Sequence, residues 1–202
     1  MEIFSDIAQG SPEWFQVRAG LPTSSMFSDV MVKVGPRGGI PKGRQTYMRK
    51  LAGEILTGDP MDSYTNAHME RGKEREAEAR DLYAFLRDAE VSEVGFIKNG
   101  ACGASPDGLI GDSGMWENKD ALAHIQIDRL LAGTLPPEHK AQCQGQLMVA
   151  EREWVDFMSY CRGLPPLIVR VTRDEEYIKE VRNGVDQFVE ELNQLVDKIR
   201  SM

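Results

Sequence analysis

The feature that most constrains the fold is a tight turn between two apolar segments in the middle of the chain. The turn, Gly111-Asp112-Ser113-Gly114, consists of residue types that are typical of β-hairpins. It joins strands predicted over residues 101–110 and 114–119, each of which is a bounded apolar run. A turn this short makes the two strands pair antiparallel, so the middle of the chain is committed to a β-sheet.

The segments on either side of this hairpin predict helices and further strands. Helices are expected over about 11–20, 23–32, 44–57, 66–87, 138–150 and 174–202. Further strands are expected over 91–98, 153–161 and 167–172. This order predicts a single α/β or α+β domain with a mixed sheet, spanning residues 1–202. No apolar run reaches the roughly 18 residues of a membrane-spanning helix, so no membrane partner is expected.

The hairpin is expected to bring charged side chains together. Side chains alternate between the two faces of a strand, so Glu117 and Lys119 share one face while Asn118 points to the other. Antiparallel pairing brings Asp107 to the same region. Two carboxylates, a backbone carbonyl and water suit a hard divalent cation, and Lys119 could orient or deprotonate a bound water or stabilise charge on a phosphate. The alternative is an exposed hairpin whose charges are merely solvated.

The overall charge argues against a nucleic-acid partner, but its distribution does not. The 202-residue chain has 24 Lys+Arg and 32 Asp+Glu, for a formal net charge of −8, and an acidic protein repels DNA. Residues 30–50 nevertheless hold six basic residues and no acidic one: Lys33, Arg37, Lys42, Arg44, Arg49 and Lys50. A glycine-rich basic loop that leads into a helix is suited to contact phosphates. The alternative is a solvated surface loop.

The cysteines exclude one class of cofactor. Cys102, Cys143 and Cys161 are widely spaced and form no CxxC pair. An iron–sulfur cluster needs about four thiolates and is therefore excluded within one chain. Three reduced thiols are typical of a cytoplasmic protein.

Four motifs, in order along the chain, resemble those of one protein family. Ser105-Pro106-Asp107-Gly108-Leu109, followed by Glu117-Asn118-Lys119, is similar to the core of the PD-(D/E)xK nucleases, and more narrowly of the phage lambda exonuclease family, also called YqaJ-like viral recombinases. Residues 14–25 resemble the family's Trp…Arg…Gly…Thr-x-Ser segment, residues 71–76 its Gly-x-x-x-Glu helix, and residues 141–144 its Ala-Gln-x-Gln helix. The resemblance implies a restriction-endonuclease-like α/β core, a central mixed β-sheet flanked by helices.

The resemblance also implies an active site with two metal ions. Asp107 and Glu117 match the family's ligands of catalytic Mg²⁺, and the carbonyl of Asn118 would be a further ligand. Glu76 matches a helix glutamate that contributes to the second metal site, although it could equally be a solvated residue of a charge-rich helix. Lys119 matches the lysine that positions or activates the attacking water. Mn²⁺ prefers the same oxygen ligands and can substitute.

Other matched positions would hold the DNA end. Gln142 matches an active-site glutamine that holds substrate or water. Arg18, Ser25 and Ser105 match residues that grip a terminal 5′-phosphate, and guanidinium and hydroxyl donors suit such a dianion. The alternatives are that Arg18 is a surface helix residue and that Ser25 begins a helix.

Further DNA contacts follow less directly from the resemblance. The family sends a basic loop toward the duplex and separates the strands with apolar side chains near a helix start, which implies roles for Arg37 and Met69. Lys42 and Arg44 are added as candidate DNA contacts from the basic segment 30–50. Core packing is the alternative for Met69. The family has Cys-Pro and then a basic phosphate ligand after the Glu-x-Lys lysine, whereas this chain has Asp120-Ala121-Leu122, and His124 or Arg129 could substitute for that ligand.

Together these matches imply a metal-dependent 5′–3′ exonuclease. It would digest the 5′-ended strand of linear double-stranded DNA to mononucleotides and leave 3′ overhangs for phage recombination by single-strand annealing. The resemblance further implies a ring-shaped homotrimer, a single-strand annealing protein as partner, and a phage or prophage gene expressed in the bacterial cytoplasm. Two other hypotheses are a structure- or sequence-specific endonuclease of the same fold and a non-catalytic DNA-binding protein.

Overall fold

The protein is a mixed α/β structure. The computed structural model describes residues 1–32, 39, 41–61 and 67–202, with the backbone alone from 67 to 73. Its helices are α1 (Pro12–Arg18), α2 (Phe27–Val30), α3 (Lys42–Thr57), α4 (Ala67–Arg87), α5 (Ala123–Ala132), α6 (Lys140–Ala150) and α7 (Glu175–Arg200). Its strands are β1 (Glu2–Phe4), β2 (Phe96–Asn99), β3 (Cys102–Ala104), β4 (Gly108–Ile110), β5 (Gly114–Asp120), β6 (Trp154–Tyr160) and β7 (Leu167–Thr172). No helix in these ranges is long and apolar enough to cross a membrane.

The strands form two hydrogen-bonded parts. β1, β2 and β3 pair antiparallel in that order. The second part has the order β4-β5-β6-β7, in which β5 and β6 are parallel and the outer pairs are antiparallel. A parallel pair requires a long crossover connection, and α5 and α6 provide it between β5 and β6. The expected mixed sheet flanked by helices is therefore present.

The segment predicted as one strand over 101–110 is two strands in different parts of the sheet. β3 ends at Ala104 and β4 begins at Gly108, with Ser105, Pro106 and Asp107 between them. Proline lacks an N–H and cannot continue a central ladder, which explains the interruption. Gly108 is required just beyond it, because a Cβ there would lie 2.2 Å from Cγ1 of Val91.

Two further differences concern the extent of helices and strands. The strand predicted over 91–98 is reduced to β2, preceded by an isolated bridge between Ser92 and Leu109. Helix α5 was not predicted. It ends at Ala132 and is followed by Gly133, whose φ of 64° is left-handed, a conformation that favours the glycine that commonly follows a helix.

Helices α6 and α7 build the core on one face of the sheet. The amphipathic spacing predicted for the last helix is confirmed, and its buried side chains are Ile178, Val181, Val185, Phe188, Leu192 and Val196. In α6, Ala141 and all residues from 143 to 150 are buried. Gly145 allows this close approach, since a Cβ there would lie 2.4 Å from the ring of Phe27. Polar side chains of α6 must therefore find partners inside the protein.

Arg44, predicted to contact DNA, lies inside the protein, so that prediction is wrong. Its side chain is 4% exposed, and Nη1 donates to Oε2 of Glu191 at 2.6 Å. Its Nε donates to the carbonyl of Val30 at 3.3 Å, and the guanidinium stacks over Phe188 at 5.1 Å. Arg44 therefore joins α3 to α7 rather than facing a duplex.

We predict that Arg44→Met lowers the free energy of unfolding by about 2 kcal/mol near neutral pH, because Glu191 then loses its buried partner but remains partly hydrated. Arg44 holds the pKa of Glu191 below its ordinary value. A lowered folded-state pKa gives stability that is present above the unfolded pKa, about 4.3 for Glu, and is lost as the pH falls through the folded value. The deficit of the variant should therefore shrink in acid.

Urea unfolding of the wild type, Arg44→Met and Arg49→Met at about pH 7 and about pH 3 would check this. Arg49 is exposed on the same helix and serves as the control. Equal losses for the two variants, or a deficit independent of pH, would contradict the interior role of Arg44.

Candidate active site

Strand β5 brings together the charged residues expected from the hairpin. Gly108 pairs with Trp116, so the residue before Gly108 lies beside the second half of β5. The N–H of Asn118 donates to Oδ2 of Asp107 at 2.7 Å, and Nζ of Lys119 lies 2.5 Å from Oε1 of Glu117. The predicted convergence of two carboxylates and an ammonium is confirmed.

Glu117 is a buried carboxylate surrounded by hydrogen-bond donors. Its side chain is 2% exposed. Besides Lys119, its Oε1 accepts from Nε2 of Gln142 at 2.6 Å, and its Oε2 accepts from Nε2 of Gln146 at 2.5 Å. A buried charge without such partners would cost several kcal/mol, so these donors allow Glu117 to stay in the core. Burial lowers the pKa of Lys119, but Glu117 and Asp107 raise it by more, which favours the ammonium form.

Asp107 adds a second acidic group at the edge of this cluster. Burial raises its pKa well above the ordinary value, repulsion from Glu117 and Glu76 raises it further, and Lys119 opposes them. Asp107 and Glu76 line one cavity of about 450 Å³, together with Arg80. Acidic groups that repel one another in this way are stabilised by a cation between them.

The donor set at this cavity is one that hard cations prefer. Asp107 and Glu76 offer carboxylate oxygens at the cavity, and beside Asp107 the strand adds the carboxylate of Glu117 and the backbone carbonyl of Asn118, with no thiolate or imidazole required. The described part of the chain contains no group of three or more acidic, histidine or cysteine side chains close enough to hold a metal by themselves.

Helix α6 supplies two glutamines to Glu117, and the sequence predicted only the first. Gln142 and Gln146 are four residues apart, so they lie on the same helix face, toward β5. Gln144 points elsewhere: it donates to the carbonyl of Thr172 at 2.8 Å and accepts from the N–H of Asp174 at 3.0 Å. The i, i+4 spacing was the available signal for Gln146.

Two of the three residues predicted to bind a 5′-phosphate are held by one tryptophan. Nε1 of Trp14 donates to Oγ of Ser105 at 3.1 Å and to the carbonyl of Gly95 at 2.8 Å. The guanidinium of Arg18 stacks on the Trp14 ring, 3.6 Å from its centre. Ser25 is exposed and lines a cavity of about 590 Å³ with Arg18. Trp14 was noted in the sequence only as part of a motif.

The other residues predicted to contact DNA lie in several different places. Lys42 is exposed and lines the same 590 Å³ cavity as Arg18. Arg37 and the side chain of Met69 lie outside the described residues. Of the two possible substitutes for the family's basic phosphate ligand, His124 is exposed on α5.

Arg129, the other possible substitute, lies beside the acidic cluster. Lys119 pairs with Ser159 in the parallel ladder, and Nη1 of Arg129 donates to Oγ of Ser159 at 3.0 Å. Nη2 of Arg129 lies 3.0 Å from Nε2 of His139. Burial, Lys119 and Arg129 lower the pKa of His139. The geometry therefore favours Arg129 over His124 for this position.

The cysteines take no part in the cluster. All three are free thiols, and Cys102 and Cys143 are buried. Burial and the charge of Glu117 raise the pKa of Cys143 to about 12, so it is an inert core residue rather than a nucleophile.

Solved structures of exonucleases are among those that resemble this one. An alkaline exonuclease, LHK-Exo from Laribacter hongkongensis, matches with a TM-score of 0.84 and 35% identity over 95% of this chain and 97% of that chain. The same values hold for LHK-Exo in complex with dAMP. A phage-related exonuclease from Haemophilus somnus 129PT matches with a TM-score of 0.65 and 15% identity over 89% of this chain and 96% of that one, which shows a shared fold. A search of curated proteins found no match.

A family model covers most of the same region. The model of the YqaJ-like viral recombinase domain matches residues 13–153, a range that contains Trp14, the acidic cluster on β5 and helix α6. Together with the likeness to an alkaline exonuclease, this match supports a DNA nuclease. The chain therefore belongs to the YqaJ-like viral recombinase family.

Proposed function

We propose that this protein is a metal-dependent exonuclease that digests the 5′-ended strand of linear double-stranded DNA, in the 5′ to 3′ direction, to mononucleotides. The 3′ overhangs it leaves would serve phage recombination by single-strand annealing. The observation that carries this proposal is the meeting of Asp107, Glu117 and Lys119 beside a cavity that Glu76 also lines. Family membership and the likeness to LHK-Exo support the exonuclease class.

The oxygen ligands of this cluster and of Glu76 are those that Mg²⁺ prefers. Asp107, Glu117 and the carbonyl of Asn118 would hold one ion, and Glu76 with Asp107 would contribute to the second, with Mn²⁺ able to substitute. When bound, the ions supply an activated water and stabilise the charge that develops on the phosphate. Lys119, whose Nζ lies beside Glu117, would hold the attacking water by a hydrogen bond. Gln142 lies at the rim of the cluster, where it can hold a water or a substrate oxygen.

Recognition of a DNA end is assigned to Arg18, Ser25 and Ser105. Trp14 fixes the guanidinium of Arg18 by stacking and the hydroxyl of Ser105 by a hydrogen bond. A guanidinium and two hydroxyls match a terminal phosphate, which carries more charge than an internal one. The complex of LHK-Exo with dAMP, a 5′-mononucleotide, agrees with mononucleotide release.

Assembly and partners are part of the proposal on the strength of family membership. A ring-shaped homotrimer around the duplex and a single-strand annealing protein acting on the 3′ overhang fit a recombination enzyme of this family. Of the residues predicted to contact the duplex, Lys42 is described by the structure and is exposed, and it lines the same cavity as Arg18. It can therefore contact DNA. The bacterial cytoplasm is the proposed location.

We predict that Asp107→Asn lowers the rate of DNA degradation in Mg²⁺ by about a thousand-fold, because the loss of a metal ligand removes several kcal/mol of transition-state stabilisation. Release of mononucleotides from an end-labelled linear duplex measures this rate. Asp112→Asn is the matched control, since Asp112 is exposed in the turn of the same hairpin. A fully active Asp107→Asn variant would rule out the assigned site.

We predict that a linear duplex with a 5′-phosphate is digested about 10- to 100-fold faster than one with a 5′-hydroxyl, since hydrogen bonds to a charged group are worth about 1.5–3 kcal/mol. Arg18→Ala should abolish most of this preference, whereas Lys179→Ala, a change at an exposed residue of α7, should preserve it. A closed circular plasmid should be resistant. Cutting of the circle as fast as of the linear form would instead establish the endonuclease alternative.

A further inference from the structure

Gln146 is an amide enclosed in the core, in contact with the active-site acid. It is 0% exposed in the middle of α6. Its Nε2 lies 2.5 Å from Oε2 of Glu117, and its Oε1 is buried without a hydrogen-bond partner in the part of the chain that the structure describes. Burying an amide in this way costs free energy that a leucine or methionine would not. Among the described residues, the compensating hydrogen bond of this amide is the one to Glu117.

The two oxygens of Glu117 have different surroundings. Oε1 accepts from Lys119, whose side chain is 31% exposed, and from half-buried Gln142. Oε2 accepts from fully buried Gln146. Oε1 therefore lies on the accessible side of the carboxylate, and Oε2 on the side of the core.

The helix that carries Gln146 is held rigidly. Residues 143–150 of α6 are all buried, and α6 packs against β2, β3, β6 and α7. Gln142 is less confined, and its partner Oε1 is the oxygen on the accessible side. Gln142 and Lys119 can therefore yield Oε1 to a metal ion, while Gln146 keeps its hold on Oε2.

We propose that Gln146 is a positioning residue, which fixes Glu117 through Oε2 so that Oε1 is presented to the metal. This inference rests on the proposed function, which supplies the divalent metal ion that Glu117 would bind. Gln146 is fully buried and contacts Glu117, so its proposed effect passes through Glu117.

The test compares Gln146→Met with Gln144→Met. Gln144 has the same residue type, lies on the same helix and is 2% exposed, but it bonds to Thr172 and Asp174 and not to Glu117. Binding of Mn²⁺ without DNA is measured by calorimetry, and the Mg²⁺ concentration for half-maximal digestion of linear duplex is measured separately. Gln146→Asn, which keeps an amide too short to reach Oε2, serves as a second variant, and thermal unfolding reports the folded state of each.

Gln146→Met and Gln146→Asn should weaken Mn²⁺ binding about tenfold, the loss expected for one hydrogen bond to a charged group. The half-maximal Mg²⁺ concentration should rise by the same factor, and excess Mg²⁺ should restore much of the rate. Gln144→Met should leave both quantities unchanged even where it lowers the melting temperature.

Four outcomes would overturn the inference or separate it from the proposed function. The inference is overturned if the folded Gln146 variants bind Mn²⁺ as tightly as the wild type does. It is also overturned if Gln144→Met weakens Mn²⁺ binding as much as the Gln146 substitutions do. A wild type that binds no Mn²⁺ overturns it together with the metal site. A wild type that binds Mn²⁺ more tightly than the Gln146 variants but degrades no DNA supports the positioning role and refutes the exonuclease.

Discussion

The structure depends on the burial of one carboxylate, that of Glu117, in the central strand β5. A charge in this position is tolerated only when donors surround it, and here they come from β5 itself and from α6. The same donors join the helix to the sheet. On the opposite face of β5, Trp116 packs against Tyr83 of α4. The core and the candidate active site therefore share the same contacts. A substitution that removes a hydrogen-bond donor from Glu117 would affect both the packing of α6 on β5 and the site.

The interruption between β3 and β4 determines where Asp107 and Ser105 lie. At Pro106 the chain leaves β3 and enters β4, and the two neighbouring side chains go to different partners. Asp107 accepts from the N–H of Asn118 beside Glu117, whereas Ser105 accepts from the indole of Trp14. Three consecutive residues thus connect the candidate metal site to the candidate phosphate site. A continuous strand would have kept these side chains in the alternation of a single ladder.

The sequence predicted what depends on local rules. The turn at 111–114 and the alternation of side chains were enough to place Glu117 and Lys119 together, and helical spacing was enough for the buried row of α7. Charge counting failed for Arg44, because the number of basic residues in a segment says nothing about which of them is enclosed by another helix. Gln146 was missed because its partner is 29 positions away in sequence, and only the crossover between β5 and β6 brings the two together.

The acidic charge of the chain is compatible with a DNA substrate if binding is concentrated at the end of the strand. A net charge of −8 repels a long stretch of duplex, and Arg44 is withdrawn from the basic segment by its pair with Glu191. Among the described residues, Arg18 on Trp14 and exposed Lys42 line one cavity, and bound metal ions would reverse the charge of the acidic cavity. A terminal phosphate offers more charge at one point than any internal phosphate does. A small number of positive groups at one place therefore favours an enzyme that starts from a DNA end over one that binds along the duplex.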